Sequence, residues 1–398
     1  MSDNSSISYL GRSAIFEDES KLDVGYVPPT LPHRESQYSS LLQTFRGMID
    51  TPGKVGPKAI LVGSVGTGKT ALSQRFGMNL EASANAREGL KLRYIHVNCH
   101  LLRGSLSFIL SEVISSFFPT FPRRGLSSEE LLQTLMKVLD EEDSYLLLSL
   151  DDAEALIQRE GPGSLYVLSR VHENRLNKPL RLGLILILRE AWFLSTIDKA
   201  TLSTLQRNII RLPPYGRDEL FDIIRYRASM ALRKGAISDE ALGLIADLCA
   251  HEGDARFAIE ILLRAGKYAE RLGAHSILPE YVREAHGSLG YPPSLIDYLR
   301  SLGLHEKILL LALARELLAN PEKAYVTMGD VEHAYALACE ERGEAPRSHT
   351  QLWKYLGNLS AIGLVSTRIS GEGQRGKTTF IGMPYPADSM IKAILEHL

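Results

Sequence analysis

Residues Gly63 to Thr70 read GSVGTGKT and fill every fixed position of GxxxxGK[ST]. Glycines at 63, 66 and 68 allow backbone angles that turn N–H groups toward phosphate oxygens. A helix starting near Lys69 adds unpaired N–H groups and the positive end of its dipole. Lys69 would supply charge to β- and γ-phosphates, and the Thr70 hydroxyl would ligate Mg²⁺. Val65, Gly66, Thr67, Gly68 and Ala71 complete the expected cradle for ATP or ADP. An ordinary Gly-rich turn with a surface lysine needs no particular flanks. Here an apolar run (Lys58–Val62) precedes the motif and a helical pattern (Thr70–Ala82) follows it.

A second chemical element is YLLLSLDD, Tyr145 to Asp152. A buried strand ending in two carboxylates places charge where α/β folds bind ligands. Asp151 is the candidate for the Mg²⁺ water shell, and Asp152 for polarising an attacking water. The competing reading has both acids capping the next turn. A third element is GDAR, Gly253 to Arg256. Arginine in a first helical turn opposes the helix dipole, so Arg256 is expected to serve something else, such as a γ-phosphate. A salt bridge to Asp254 or Glu260 is the alternative.

These residues need elements to hold them. Near-continuous Leu/Ile/Val runs at Lys58–Val62, Leu92–Val97, Tyr145–Leu150, Leu182–Leu188 and Asn208–Leu212 predict strands buried on both faces. Helical patterns at Thr70–Ala82, Ser105–Phe118, Ser128–Asp140 and Gly163–Glu173 alternate with them. This rhythm predicts an α/β domain with a parallel sheet over 26–213, after a polar tail or extended wrap over 1–25. Helical periodicity at Arg217–Arg233, Asp239–Ala250, Asp254–Arg271 and Pro279–His286 predicts a small helical domain over 214–290. Tyr291-Pro292-Pro293 marks the next boundary. Over 291–398, helices at His305–Ala319, Met328–Glu341 and Ser348–Ile362 precede a hairpin of Leu364–Ile369 and Thr378–Met383, the pattern of a winged helix.

The chain has 398 residues, 44% hydrophobic and 23% charged, which excludes wholesale disorder. That length predicts two to four domains, at about 100–200 residues each. Cys99, Cys249 and Cys339 lie far apart, which excludes a disulfide scaffold and a Cys-rich zinc site. No apolar run approaches the roughly 18 residues of a membrane span, and no signal peptide begins the chain. A cytoplasmic protein without a membrane partner is expected. The 11 histidines show no HExxH spacing, and no GxSxG occurs. His96 and His172 are read as structural.

The net charge of -2 hides a local asymmetry. Ser294–Glu344 holds 5 basic and 9 acidic residues, whereas Ala345–Met383 holds 5 basic and 1 acidic. The basic stretch is the third helix plus the wing, the parts that enter DNA grooves. Candidate contacts are Arg347, Ser348, Gln351, Lys354, Tyr355, Arg368, Arg375 and Lys377, with His349 and Asn358 also able to hydrogen-bond. Trp353, Leu356 and Leu359 are expected to face the core. Arg123 and Arg124, in FPRRGL, form a second candidate contact. A protein-binding hairpin and an idle basic loop are the bland alternatives.

With these motifs in order, the chain resembles an AAA+ ATPase, and more narrowly the archaeal origin-recognition and Cdc-type replication initiators. PHRE at Pro32–Glu35, the P-loop, LPPY at Leu212–Tyr215 followed by Arg227, and GDAR carry the resemblance. It implies five parallel strands, a helical lid and an adenine pocket from His33, Arg34, Tyr215, Ile223 and Arg227, with Arg256 as second sensor. It also implies ATP-dependent binding of double-stranded origin DNA, recruitment of the replicative helicase, and contact with other initiator paralogues. Three departures stand out: Asp152 where the family has Glu, Arg189 where it has a sensor Asn, and Asp198-Lys199-Ala200 where it has Asp-Pro-Arg. Arg207 lies nearby but off register. An arginine finger is worth about 10³–10⁵ in rate, so the weak ATPase activity of a divergent paralogue is expected. A clamp-loader-like remodeller and a transcription regulator are the alternatives.

Overall fold

The computed structural model describes residues 13–121, 125–171, 175, 178–197, 203, 205, 208–290, 295–369 and 378–398. Two compact units emerge: Val27–Tyr215, and Gly216–Leu398 together with the N-terminal residues up to Tyr26. The fold is mixed α/β.

The first unit holds helices α1 (Glu35–Phe45), α2 (Gly47–Asp50), α3 (Lys69–Asn85), α4 (Leu106–Phe117), α5 (Ser128–Glu141), α6 (Glu154–Glu160) and α7 (Gly163–Ser169). Its strands are β1 (Lys58–Val62), β2 (Lys91–Asn98), β3 (Ser144–Asp151), β4 (Leu182–Leu188) and β5 (Ile209–Arg211). They form one parallel sheet in the order β2-β3-β4-β1-β5. The apolar runs divide between its two faces, as alternation along a strand demands. Ile60, Leu146, Leu148, Leu184 and Leu186 join one core with α4 to α7. Leu61, Leu147, Ile185 and Ile187 pack on the other side with Phe45 of α1 and Leu72 and Phe76 of α3. The register aligns Asn98 with Asp151, so the ends of β2 and β3 share one sheet edge with the P-loop after β1.

The second unit begins with residues 13–26. They pack against helices rather than trail as a tail, because Ile15, Phe16 and Leu22 are apolar and buried. Phe16 bridges to Leu232, and Arg233 donates Nε–H to the Ser13 carbonyl. The lid follows as α8 (Arg217–Ala231), α9 (Asp239–Cys249), α10 (Ala255–Arg271) and α11 (Pro279–Ser288). The winged helix comprises α12 (Leu295–Ser301), α13 (Leu304–Ala319), β6 (Val326–Thr327), α14 (Met328–Glu340), α15 (His349–Ala361), β7 (Ser366–Ile369), β8 (Thr379–Gly382) and α16 (Ala387–Leu395). Its three strands run β6-β8-β7, antiparallel.

Lid and winged helix are joined through Arg283 of α11, which is fully buried. It donates to the carbonyls of Met383, Lys323 and Ala324 and pairs with Glu280 at 2.8 Å. Glu280 also accepts the Ala387 N–H, and Tyr325 donates to Asp247. A buried ion pair is stable only when so surrounded by hydrogen bonds. Among the described residues no helix is long and apolar enough to cross a membrane. The three cysteines are buried and unpaired.

Candidate nucleotide site and nucleic-acid interface

The P-loop leaves β1 and enters α3 through Gly68, whose φ of 85° is left-handed. A Cβ on Gly63 would stand 2.4 Å from the Leu212 carbonyl oxygen, so only glycine lets β5 approach there. No side chain caps the start of α3, which leaves its first N–H groups for an anion. Lys69 is buried and donates from Nζ to the carbonyls of Gly63 at 2.6 Å and Ser64 at 2.7 Å. Burial pushes the Lys69 ammonium down in pKa, against the pull of Asp151 and Glu154. Val65 is exposed, Gly66 has a φ of 74°, Thr67 is buried and Ala71 is half-buried.

The Thr70 hydroxyl donates to Asp151 Oδ2 at 2.7 Å. Burial raises the Asp151 pKa, but hydrogen bonds from His96 and Thr70 outweigh it and hold the carboxylate below its ordinary value. His96 Nε2 stands 3.4 Å from Asp151 Oδ2, so a histidine expected to be structural braces a site residue. Beneath it Ser73 meets Ser149 at 2.7 Å and Tyr94 at 3.3 Å, and burial pushes the Tyr94 hydroxyl up to about 12. Among the described residues no three of His, Cys, Asp and Glu converge as a metal cluster. A hydroxyl beside one ionised carboxylate fits Mg²⁺, which keeps most of its ligands as water and phosphate oxygens.

Asp152 sits just past β3 with a φ of 50°, unusual for a residue with a side chain. Its carboxylate is occupied from two sides. Arg189 Nε donates to Oδ1 at 2.9 Å, and Asn98 Nδ2 donates to Oδ2 at 3.1 Å. That hydrogen bond raises the Arg189 pKa further. Glu154 is buried, accepts the Arg189 backbone N–H, and leaves Oε2 without a partner among the described residues. Burial raises its pKa. Asn98, His96 and Glu154 surround the site; the sequence alone marks neither Asn98 nor Glu154 and presents His96 as structural. The signal for Asn98 was its place at the end of a strand pairing with β3.

Arg34 is buried with its guanidinium 3.7 Å from the Tyr215 ring centroid. It donates to the carbonyls of Thr67, His33 and Pro213, tying the P-loop to the segment that ends the first unit. His33 has a left-handed φ of 63°. In the second unit Arg227 is buried and donates to the carbonyls of Tyr26 and Asp23. Its Nε has no hydrogen-bond partner among the described residues, and burial lowers its pKa. Ile223 is buried one turn earlier. Asp254 caps α10 by accepting the N–H groups of Arg256 and Phe257, while Glu260 pairs with Arg264. The Arg256 side chain is exposed and makes no ion pair among the described residues.

On the winged helix, α15 buries Leu352, Leu356 and Leu359. Arg347, Ser348, Lys354 and Arg368 are exposed, and Gln351 is half-buried. Tyr355 packs on the domain core. Asn358 donates to Glu306 at 2.9 Å. Trp353 does not face the core: it is 37% exposed, because it lies on the flank of the helix, about a quarter turn from the three leucines. Arg123, Arg124, Arg375, Lys377, His172, Asp198, Lys199, Ala200, Arg207 and the Tyr291-Pro292-Pro293 boundary lie outside the described residues.

A P-loop sheet domain, a helical lid and a C-terminal winged helix define an AAA+ ATPase of the initiator type. Three family models match: "AAA domain" over 58–194, "Cdc6 AAA+ ATPase-type lid domain" over 221–287 and "CDC6, C terminal winged helix domain" over 297–393. The chain is 34% identical to the ORC1-type DNA replication protein 2 of Saccharolobus solfataricus, over 95% of this chain and 92% of that one. It therefore belongs to the ORC1/Cdc6-type family of DNA replication proteins. The crystal structure of Cdc6p from Pyrobaculum aerophilum superposes with a TM-score of 0.85 at 34% identity, covering 96% and 98% of the two chains. The Aeropyrum pernix ORC2 protein, in ADPNP-ADP complexes, gives 0.65 at 26% identity, covering 96% and 98%. The Aeropyrum pernix ORC1 protein in complex with DNA gives 0.64 at 26%, covering 97% and 98%.

Proposed function

We propose that this chain is a replication initiator that grips duplex DNA with its winged helix and holds ATP or ADP at the P-loop. It turns ATP over slowly, as a switch. The observation that carries the DNA reading is the set of exposed cations on and beside α15. Arg347, Lys354 and Arg368 have no ion-pair partner among the described residues, so their charge is available to phosphates. The Aeropyrum pernix relative in complex with DNA supports the same reading.

On the nucleotide side, a polyphosphate replaces the loop carbonyls as partner of Lys69 and takes the free N–H groups of α3. Thr70 and Asp151 would hold Mg²⁺, which neutralises charge on the β- and γ-phosphate oxygens when bound. Arg256, exposed and without an ion pair among the described residues, keeps the second-sensor role that the family pattern gives it. Asp152 is poised as the water-polarising carboxylate, but Arg189 and Asn98 occupy its oxygens. Slow hydrolysis follows from that occupancy. Helicase recruitment and contact with initiator paralogues belong to the same proposal, by family membership.

The test is fluorescence anisotropy of a labelled duplex across a salt series. Wild-type affinity should fall steeply with salt, and Lys354→Ala and Arg368→Ala should each lower the log–log slope by about 1. Affinity unchanged in the double variant would overturn the winged-helix mode. Acid denaturation of the purified chain should release ADP; a chain that carries no nucleotide and binds none would overturn the switch.

A further inference from the structure

We propose that Trp353 reads sequence by packing its indole ring against thymine 5-methyl groups in the major groove. This rests on the reading of α15 as the DNA-recognition helix. Three leucines fix which face of α15 is buried, and that leaves His349, Thr350, Trp353, Lys354, Gly357 and Asn358 outward.

A large aromatic on that face is costly to expose unless something covers it. The surrounding cations name the cover. Lys354 is the next residue, Arg347 precedes the helix and Arg368 lies on β7, all three exposed and without an ion pair among the described residues. Charge of that sign suits a polyanion.

The hydrogen bonds then decide what Trp353 can offer. Its indole N–H donates to His349 Nε2 at 2.9 Å. His349 in turn bonds through Nδ1 to Glu332 of α14. The two rings meet edge to face, with centroids 6.1 Å apart. The donor is therefore spent inside the protein, and the ring is held before any ligand arrives. What remains outward is apolar ring surface. Among base edges in the major groove, the thymine methyl is the apolar feature.

Two further observations fit base contact rather than phosphate contact. The Glu332 carboxylate behind His349 repels phosphate from this part of the helix. One turn on, Gly357 carries no side chain, and even a Cβ there would meet no atom within 4 Å. Among the described residues, no side chain at 357 stands between the indole and a groove.

The experiment uses the full chain and a duplex selected by it from a pool with a randomised core. Each thymine is then replaced in turn by deoxyuridine, which removes only the methyl. At one or two positions wild-type affinity should fall about fourfold, the worth of one buried methyl-sized group. Trp353→Ala should bind more weakly overall, keep its salt slope, and lose the sensitivity at those positions. Trp353→Phe, which keeps an apolar ring and guards against misfolding, should retain it. Lys354→Ala should lose about 1 in salt slope and keep the methyl sensitivity. If no thymine methyl matters to the wild type, or Trp353→Ala remains equally sensitive, the Trp353 proposal falls. If Lys354→Ala and Trp353→Ala both bind as wild type, or no duplex is selected, the recognition-helix reading itself falls.

Discussion

Replacing Arg189 by Ala should speed ATP hydrolysis. Arg189 Nε lies 2.9 Å from Asp152 Oδ1. At that separation two charges attract by a few kcal/mol at an effective dielectric of about 20. Arg189 is 54% exposed, however, and Asp152 22%, so water screens the pair heavily. Exposed pairs measured by double-mutant cycles give about 1 kcal/mol at most. Releasing that hold would free Asp152 for a water and raise the single-turnover rate about fivefold. The assay is phosphate release from a stoichiometric ATP–protein mixture, so that product release does not enter. Asp152→Asn should abolish turnover, and the double variant should match it, since the gain acts through Asp152. A fall in rate on Arg189→Ala would refute the reasoning. It would mean that Arg189 contacts the phosphates and that its pairing with Asp152 is incidental.

Lys69→Ala should weaken binding of a fluorescent ADP analogue by ten- to a hundredfold, the worth of a charge-assisted bond to phosphate; equal affinity would remove Lys69 from the site. Arg283→Ala should cost about 3–5 kcal/mol by leaving Glu280 buried without its cation. Calorimetry should then show the transition of the lid and winged helix fall sharply in temperature, with Arg283→Met falling less. His286 and His305 are both held below the ordinary histidine pKa by burial. Their neutral forms are favoured in the folded chain, and the unfolded chain takes up more protons below about pH 6.5. Stability should be flat above that pH and fall as pH drops through it; urea midpoints at pH 7.5 and 5.5 measure this, and His286→Gln with His305→Gln should flatten the fall.

Much of the fold was legible because its strands are buried on both faces. Lys58–Val62 and Leu182–Leu188 were bounded to the residue by their apolar runs alone. The lid helices were equally plain, each starting at a cap or proline that the sequence displays. Glu35–Phe45 and Ala387–Leu395, 11 and 9 residues long, escaped, and so did shorter helices. Glu154–Glu160 is 7 residues, too few to show a helical repeat, and Leu295–Ser301 is no longer. The N-terminal segment read as polar because its few apolar residues, Ile15, Phe16 and Leu22, are spaced for a wrap rather than for a helix or strand.

The site divides along the same line. Lys69, Thr70 and Asp151 are found by spacing within one motif or at one strand end. Asn98 and His96 lie some fifty residues before Asp151, and only the β2–β3 register brings them to it. Trp353 was misjudged for a third reason. Apolar character alone does not mean burial: the buried face is set by Leu352, Leu356 and Leu359, and Trp353 falls one position off that stripe.

The separation has a functional consequence. The groups that would hold a nucleotide, the P-loop amides, Lys69 and Thr70, make no hydrogen bond to Asp152 among the described residues. The groups that hold Asp152, Arg189 and Asn98, belong to other strand ends. Binding and turnover should therefore respond to different mutations. Asn98→Ala, which removes the second hydrogen bond to Asp152, should leave ADP affinity within about twofold of wild type and change the single-turnover rate. A loss of ADP affinity as large as that of Lys69→Ala would show instead that Asp152 and its partners shape the phosphate cradle, and that the two tasks are one.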